Sequence, residues 1–372
     1  VEVDAHHLHL EVACELGVDR YDEISRIWDL GEVLYGCMLD PEERDVLLTP
    51  VLERLCTESQ LELSQWAEES GVEALRVATE ACLARIDLSR HAIVGFAVGA
   101  QQLASSLYVA RLVRQRAPHV RILFGGGGVV GEGGRNLLAV DDSMDAIVDG
   151  EGEETLLRLA RLKRPWTPER LARIPNLWYR DAEGEPRRTA TEVLENLDEV
   201  AVPDYCDYFN AIDAYGYPSS TVVLPFEGSR GCSWEHRCGT DKLRGCTFCG
   251  IFRTSPNYRQ KSLPRMVEEL DWLVQRYQRL QIAFVDAYLP ASCRRELLAA
   301  IGDGTRDITM WCELRCDLDE EVADLLAESG TWKVQVGVEA FHTPILARIE
   351  KGTRAIDNVY SIRLLEERGI HA

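Results

Sequence analysis

Val222-Val-Leu-Pro-Phe226-Glu227-Gly-Ser-Arg-Gly-Cys232 runs from apolar residues into a glycine-flanked cysteine, and after a gap of 13 residues comes Cys246-Thr-Phe248-Cys249-Gly250. A strand ending in such a loop, with the last two cysteines spaced C-x-x-C around an aromatic ring, presents thiolates to one exposed iron–sulfur cluster. A four-iron cluster ordinarily takes four protein thiolates, so a loop with three leaves one iron open to another ligand. The same spacing suits a structural zinc knuckle, since Cys238 supplies a fourth thiolate and C-x-x-C pairs are common in zinc sites. On local spacing alone both readings stand.

Beyond the loop, strand-like runs alternate with helical periodicity. Val222 to Phe226 reads as a strand. A helix follows with Met266, Leu270, Leu273 and Tyr277 on one face. Then come strand Gln281 to Val285, helix Ala291 to Ile301, strand Thr309 to Glu313, helix Asp319 to Glu328, strand Lys333 to Val338 and helix Ala355 to Arg368. This is a βα-barrel pattern, in which functional groups are expected at the carboxyl ends of the strands. Asp286 and Tyr288 end the second strand, Glu313 and Arg315 the third, Gln335 and Glu339 the fourth.

The first half reads as a doubly wound α/β unit. Strands Ile93 to Val98, Arg121 to Phe124 and Asp145 to Val148 alternate with helices, which implies right-handed crossovers and a parallel sheet. Two glycine clusters, Gly125-Gly126-Gly127-Gly128 and Gly150-Glu151-Gly152, follow strands, where such sheets bind ligands. Glycine there lets backbone approach a flat ligand or a phosphate closely. Asp19 to Glu80 is helical by pattern. His6, His7 and His9 have a spacing that could chelate a metal, but read first as solvated imidazoles on a short strand or loop. The basic runs Arg158 to Arg173 and Arg180 to Arg188 read as a solvated linker helix and hairpin.

The 372 residues suffice for two domains, and 46% hydrophobic with 28% charged is an ordinary globular composition. Lys and Arg number 41 against 62 Asp and Glu, a net charge of −21 that repels polyphosphate and argues against nucleic acid as the main partner. The longest apolar stretch, Ala92 to Ala100, is half of what a membrane-spanning helix needs, and no signal peptide is visible; no membrane partner is expected. Twelve cysteines including a C-x-x-C point to a reducing cytoplasm with metal or redox use. The cysteines outside the loop are expected in the core.

Phe226-Glu-Gly-Ser-Arg-Gly-Cys232-Ser-Trp234 with Cys246-Thr-Phe-Cys249-Gly resembles the cluster loop of cobalamin-dependent radical S-adenosylmethionine (SAM) enzymes, specifically those that mature ribosomally made peptides. Pro203-Asp-Tyr-Cys-Asp-Tyr-Phe209, Tyr258-Arg-Gln-Lys-Ser262, Gln335-Val-Gly337-Val-Glu339 and Lys351-Gly-Thr353 extend the resemblance over nearly the whole chain. It implies a Rossmann-like cobalamin domain over 1–165, a linker with a hairpin over 166–215, and a partial radical SAM barrel over 216–372. Val1-Glu-Val-Asp4 resembles the second strand of the cobalamin domain, and Gly369 to Ala372 stands where a fifth barrel strand begins; both ends look cut. One departure is the long gap before Cys246. Either it carries an insertion near Gly239 to Arg244, leaving Cys238 a free thiol, or Cys238 replaces Cys232 as ligand.

The implied cofactors are a [4Fe-4S] cluster on Cys232, Cys246 and Cys249, SAM, and cobalamin. Phe248 would pack near the adenine, Glu313, Arg315 and Glu339 would hold the ribose and methionyl groups of SAM, and Gly250 and Gln335 are further cofactor-binding candidates. Gln101 and Ser105 would lie beneath the corrin, with Gly125, Gly126, Gly127, Gly150 and Glu151 around the nucleotide tail. No Asp-x-His-x-x-Gly motif is present, so histidine ligation of cobalt is not expected. Asp286 and Tyr288 are candidates for hydrogen handling. The implied reaction is C-methylation of unactivated carbons of a precursor peptide, with flavodoxin or ferredoxin as reductant. Rival readings are ring formation or oxidation on the same scaffold, and a non-catalytic cobalamin or zinc module.

Overall fold

The computed structural model describes residues 2–57, 69–217, 222–234, 236–238, 242–251, 257–289 and 292–372. The chain forms two units, one of residues 1–193 and 205–217, the other of 194–204 and 218–372.

In the first unit, helices Leu8–Leu16, Val18–Arg26, Leu30–Leu39, Arg44–Thr57 and Glu69–Ala84 pack around Leu30, Leu34, Leu75 and Cys82. Burying each such leucine contributes about 1.5–3 kcal/mol. Residues 2–7 form no strand; the chain enters helix at Leu8. For residues 2–4 of the strand expected at Val1 to Asp4 this is a correction: among the described residues no strand pairs with them, and an unpaired stretch cannot satisfy its backbone as a sheet. His9 sits inside the first helical turn rather than in a strand or loop. Burial lowers the pKa of both His7 and His9, and the His7 ring meets Tyr208 edge-on at 5.1 Å.

The sheet of this unit comprises β1 (Ile93–Ala97), β2 (Arg121–Gly125), β3 (Ala146–Val148), β4 (Leu177–Arg180) and β5 (Pro186–Arg188), in that spatial order. The first three are parallel, as expected, but β4 and β5 are antiparallel. Two expectations change. Strand order does not reverse among the described strands, so this is not a doubly wound sheet with a switch point. The hairpin of β4 and β5 is no linker: Leu177, Trp178 and Tyr179 are buried and hydrogen-bond along β3. Helix Glu153–Arg161 likewise covers a sheet face, with Leu159 fully buried among Leu123, Ala146 and Val148. Its basic residues are solvated, but its apolar stripe is core. The opposite face is covered by helices Leu103–Arg116 and Glu132–Val140.

In the second unit, β6 (Leu224–Phe226) leads into β7 (Ser229–Arg230), a hairpin of β8 (His236–Cys238) and β9 (Lys242–Arg244), and β10 (Arg259–Gln260), which pairs with β7. Then follow β11 (Gln281–Phe284), β12 (Thr309–Arg315) and β13 (Thr331–Gly337). The parallel sheet runs β13-β12-β11-β6, and an isolated parallel bridge joins Lys333 to His371. Helix Leu263–Tyr277 buries Met266, Leu270, Leu273 and Tyr277. It begins at Ser262, whose hydroxyl accepts from the amide of Arg265, an N-cap followed by Pro264 in the first turn. Helix Glu320–Glu328 is capped in the same way by Asp319.

Side chains alternate across this sheet. Leu224, Phe226, Ile282, Phe284, Met310, Cys312 and Leu314 are buried, whereas Pro225, Ala283, Trp311, Glu313 and Gln335 occupy the opposite, more open face. Outside the cysteine loop, Cys37, Cys82, Cys293, Cys312 and Cys316 are buried as expected, but Cys14 is exposed and Cys206 half-buried.

Candidate functional site

The cysteine loop is fastened at its lead-in. Asp286, just past β11 and 3% exposed, accepts the amide of Gly228 at 3.0 Å and the hydroxyl of Ser229. Burial lifts its carboxyl to about 6. Both oxygens are thus used to hold the loop, a positioning arrangement rather than the open one expected of a hydrogen-handling group. Beneath the loop, Lys261 and Glu269 form an ion pair at 2.8 Å, each 1% exposed, while the Lys261 amide donates to Gly228. Such a pair adds little net stability but is costly to break on one side. It pins the Tyr258-to-Ser262 segment under β6.

Cys246 is buried, and Cys232 and Cys249 are half-buried. Burial raises the Cys232 thiol, with Cys246 and Cys249 pushing it the same way and a backbone hydrogen bond at Trp234 and the Arg315 charge opposing them. Among the described residues no three His, Cys, Asp or Glu side chains are gathered to hold a single ion. A four-iron cluster spreads its thiolates over separate irons, and three thiols on one half-open loop are the donor set for such a cluster with one iron left open. The long gap before Cys246 folds as the β8–β9 hairpin, with His236 opposite Arg244. Cys238 sits in that hairpin. Its side chain, and residues 239–241 of the supposed insertion, lie outside the described residues.

On the open face, Glu313 and Gln335 are lateral neighbours in register, as are Arg315 and Gly337. Burial raises the Glu313 carboxyl. Gln335 is exposed. Arg315 is buried, stacked 4.3 Å over the Trp234 ring, and donates to the carbonyl of Lys351. Lys351, also buried, donates to Glu339 at 2.8 Å and lies 6.0 Å over the Phe248 ring. Phe248 itself is 55% exposed beside the half-open loop. Gly250 has nothing within 4 Å of where a Cβ would stand. Tyr288 is buried, with its hydroxyl bonded to that of Ser233. Of the expected residues of this unit, Arg315, Tyr288 and, through Lys351, Glu339 are linked to residues of the cysteine loop, Phe248 among them, whereas Glu313 and Gln335 make no hydrogen bond or ion pair with it among the described residues. Trp234, Lys351, Lys261 and Gly352 belong with them but carry no periodic signal; only their place in the quoted motifs marks them.

In the first unit, the carboxyl ends of the strands are built differently from expectation. A Cβ at Gly126 (φ +98°) would stand 2.6 Å from the Val98 carbonyl, and one at Gly128 2.8 Å from that of Gly99. These glycines admit the neighbouring backbone, with Gly128 donating to Val98. Gly125 meets only ordinary contact with Val148, and Gly127 faces open space. Gly150 (φ +128°) lies beside Asn176, which bonds the Glu151 carbonyl. Gln101 is exposed and donates to Asp29, and the Ser105 hydroxyl donates to the Gln102 carbonyl. The histidines next to the sheet, His91 and His119, precede β1 and β2 and so stand at its amino edge. At the carboxyl ends of the strands, Gly127 leaves bare backbone in open space, a surface that a flat ligand such as a corrin could approach.

No protein-family model matches the chain. It is 24% identical over 255 residues to a 4′-phospho-dehydrooxetanocin synthase of Priestia megaterium, covering 60% of this chain and 31% of that protein. It is 25% identical over 241 residues to an anaerobic magnesium-protoporphyrin IX monomethyl ester cyclase of Rubrivivax gelatinosus, covering 61% and 40%. The chain thus spans well under half of these curated relatives. Among solved structures it resembles the cobalamin-dependent S-adenosylmethionine radical enzyme OxsB with aqua-cobalamin and S-adenosylmethionine bound, at a TM-score of 0.61 and 20% identity, covering 78% of this chain and 41% of that one. The same enzyme with aqua-cobalamin alone gives 0.59. At that identity the likeness is one of fold. Among the described residues no helix is long and apolar enough to cross a membrane.

Proposed function

We propose that this chain is the cobalamin- and SAM-binding part of a cobalamin-dependent radical SAM enzyme, and that its reaction is methyl transfer to an unactivated carbon of a peptide. The observation that carries the reading is the cysteine loop: three unbridged cysteines on the chain that follows the parallel strand β6, in the unit whose open sheet face bears Glu313 and Gln335. When bound, the cluster would supply the electron that cleaves SAM, and cobalamin the methyl group.

Cys232, Cys246 and Cys249 would hold the cluster. Asp286 and the Lys261–Glu269 pair would hold the loop. Glu313, with its carboxyl partly desolvated, is set to accept hydrogen bonds from hydroxyls. Phe248 offers an exposed ring for stacking. Arg315 is committed to Trp234 and the Lys351 carbonyl and would act through them rather than by direct contact. In the first unit, Gly127, Gln101, Ser105, Gly150 and Glu151 would border the corrin and its tail. A peptide substrate and a flavodoxin or ferredoxin as reductant belong to the same proposal, as does a cytoplasmic setting.

Ring formation is the second reading, favoured by one observation: one relative bears the name of a cyclase and the other that of an oxetanocin synthase. Anaerobic incubation with SAM, cobalamin, a reductant and candidate peptides separates the two. Methyl transfer yields 5′-deoxyadenosine and S-adenosylhomocysteine together; 5′-deoxyadenosine without S-adenosylhomocysteine would favour ring formation, and neither product would overturn both.

A further inference from the structure

We infer that Trp234 and Gly352 form a latch that positions the cysteine loop, a role resting on the reading of that loop as the cluster site. Two residues past Cys232, the Trp234 indole N–H donates to the Glu350 carbonyl at 2.9 Å. One face of its ring carries the Arg315 guanidinium at 4.3 Å. The ring also packs on Gly352: a Cβ there would stand 1.9 Å from its atoms, and Gly352 has φ +79°, so any other residue would be both strained and in collision. From the other end of the loop, the Thr247 amide donates to Ile349 at 3.0 Å. Arg315 itself donates to the Lys351 carbonyl.

Three consecutive carbonyls, those of Ile349, Glu350 and Lys351, are thereby taken by Thr247, Trp234 and Arg315. Segment 349–352 is thus a bar across which both cysteine-bearing ends of the loop are hung. Cys232 is held through Trp234, and Cys246 and Cys249 through Thr247. This bar ties the first thiol to the C-x-x-C pair independently of the chain between them. Trp234 is a positioning residue, since no reacting atom need touch it.

The test is site-resolved alkylation of the full metal-free chain with iodoacetamide, read by peptide mass spectrometry, with buried Cys312 as internal reference. In Trp234→Ala and Gly352→Ala the rate at Cys232 is expected to rise about tenfold, the size of change implied by losing a partly buried hydrogen bond and a cation–π stack, while Cys312 stays unreactive. Trp234→Phe keeps the ring and loses the N–H, and its rate should fall between. An unchanged Cys232 rate in both Trp234→Ala and Gly352→Ala, with Cys312 still protected, would overturn the latch; a variant in which Cys312 also reacts has unfolded, and the decision passes to Trp234→Phe, whose unchanged rate overturns it equally. Iron and sulfide uptake by the unaltered protein is measured alongside. Its absence would sink the cluster reading and leave the alkylation result to judge the latch.

Discussion

Replacing Asp286 by Asn should stabilise the cluster-free protein at neutral pH and leave it nearly unchanged in acid. The carboxyl is 3% exposed, and burial lifts it from the ordinary 3.8 to about 6. A raised carboxyl favours the protonated form in the folded chain. The stability tied to it is therefore fully present below the unfolded value and is lost as pH rises through the folded one. From pH 4 to pH 7.5 the loss amounts to about 2–3 kcal/mol. Asn has the same shape and carries no charge. Its Oδ1 can accept from the Gly228 amide, and its NH₂ can donate to the Ser229 hydroxyl, so neither partner is left unpaired. The assay is urea unfolding followed by tryptophan fluorescence at pH 4 and 7.5, with Asp286→Ala as the contrast. Asp286→Asn should gain on the unaltered protein by that margin at pH 7.5 relative to pH 4. Asp286→Ala should lose at both, because a buried N–H and O–H are left without partners at about 1–3 kcal/mol each. A difference between Asn and Asp that does not move with pH would refute the reasoning.

Alanine at Cys232, Cys246 or Cys249 should each abolish iron and sulfide uptake, whereas Cys238→Ala should retain it; the reverse outcome at 232 and 238 would exchange their roles. Glu313→Gln should weaken SAM binding by about tenfold or more, since a charge-assisted hydrogen bond is worth about 1.5–3 kcal/mol, as read by equilibrium dialysis of the reconstituted protein. Gly126→Ala, with its positive φ and a Cβ 2.6 Å from the Val98 carbonyl, should cost about 1–3 kcal/mol in thermal unfolding, and Gly127→Ala, in open space, less than about 0.5 kcal/mol. Paramagnetic resonance of bound cob(II)alamin should show no nitrogen splitting from an axial ligand; a nitrogen triplet would contradict the placement of His91 and His119.

Periodicity alone determined a good deal. The buried faces of β11, β12 and helix Leu263–Tyr277, the parallel strands β1 to β3, and the cysteine loop after β6 were legible because each is written in residues a few positions apart, and alternation of apolar side chains selects strand or helix before any distant contact forms. What tertiary structure decided is whatever depends on a partner far along the chain. The β4–β5 hairpin looks like a linker until β3, about 30 residues earlier, is found to pair with β4 on the edge that β2 leaves open. Gly126 and Gly128 look like a ligand loop until the backbone of Val98 and Gly99 is seen to fill the space. Asp286 looks open until Gly228 and Ser229, 57–58 residues away, claim both its oxygens. Trp234 meets Glu350 across 116 residues, a pairing that no local pattern encodes because only the folded sheet brings the two loops to the same end of their strands.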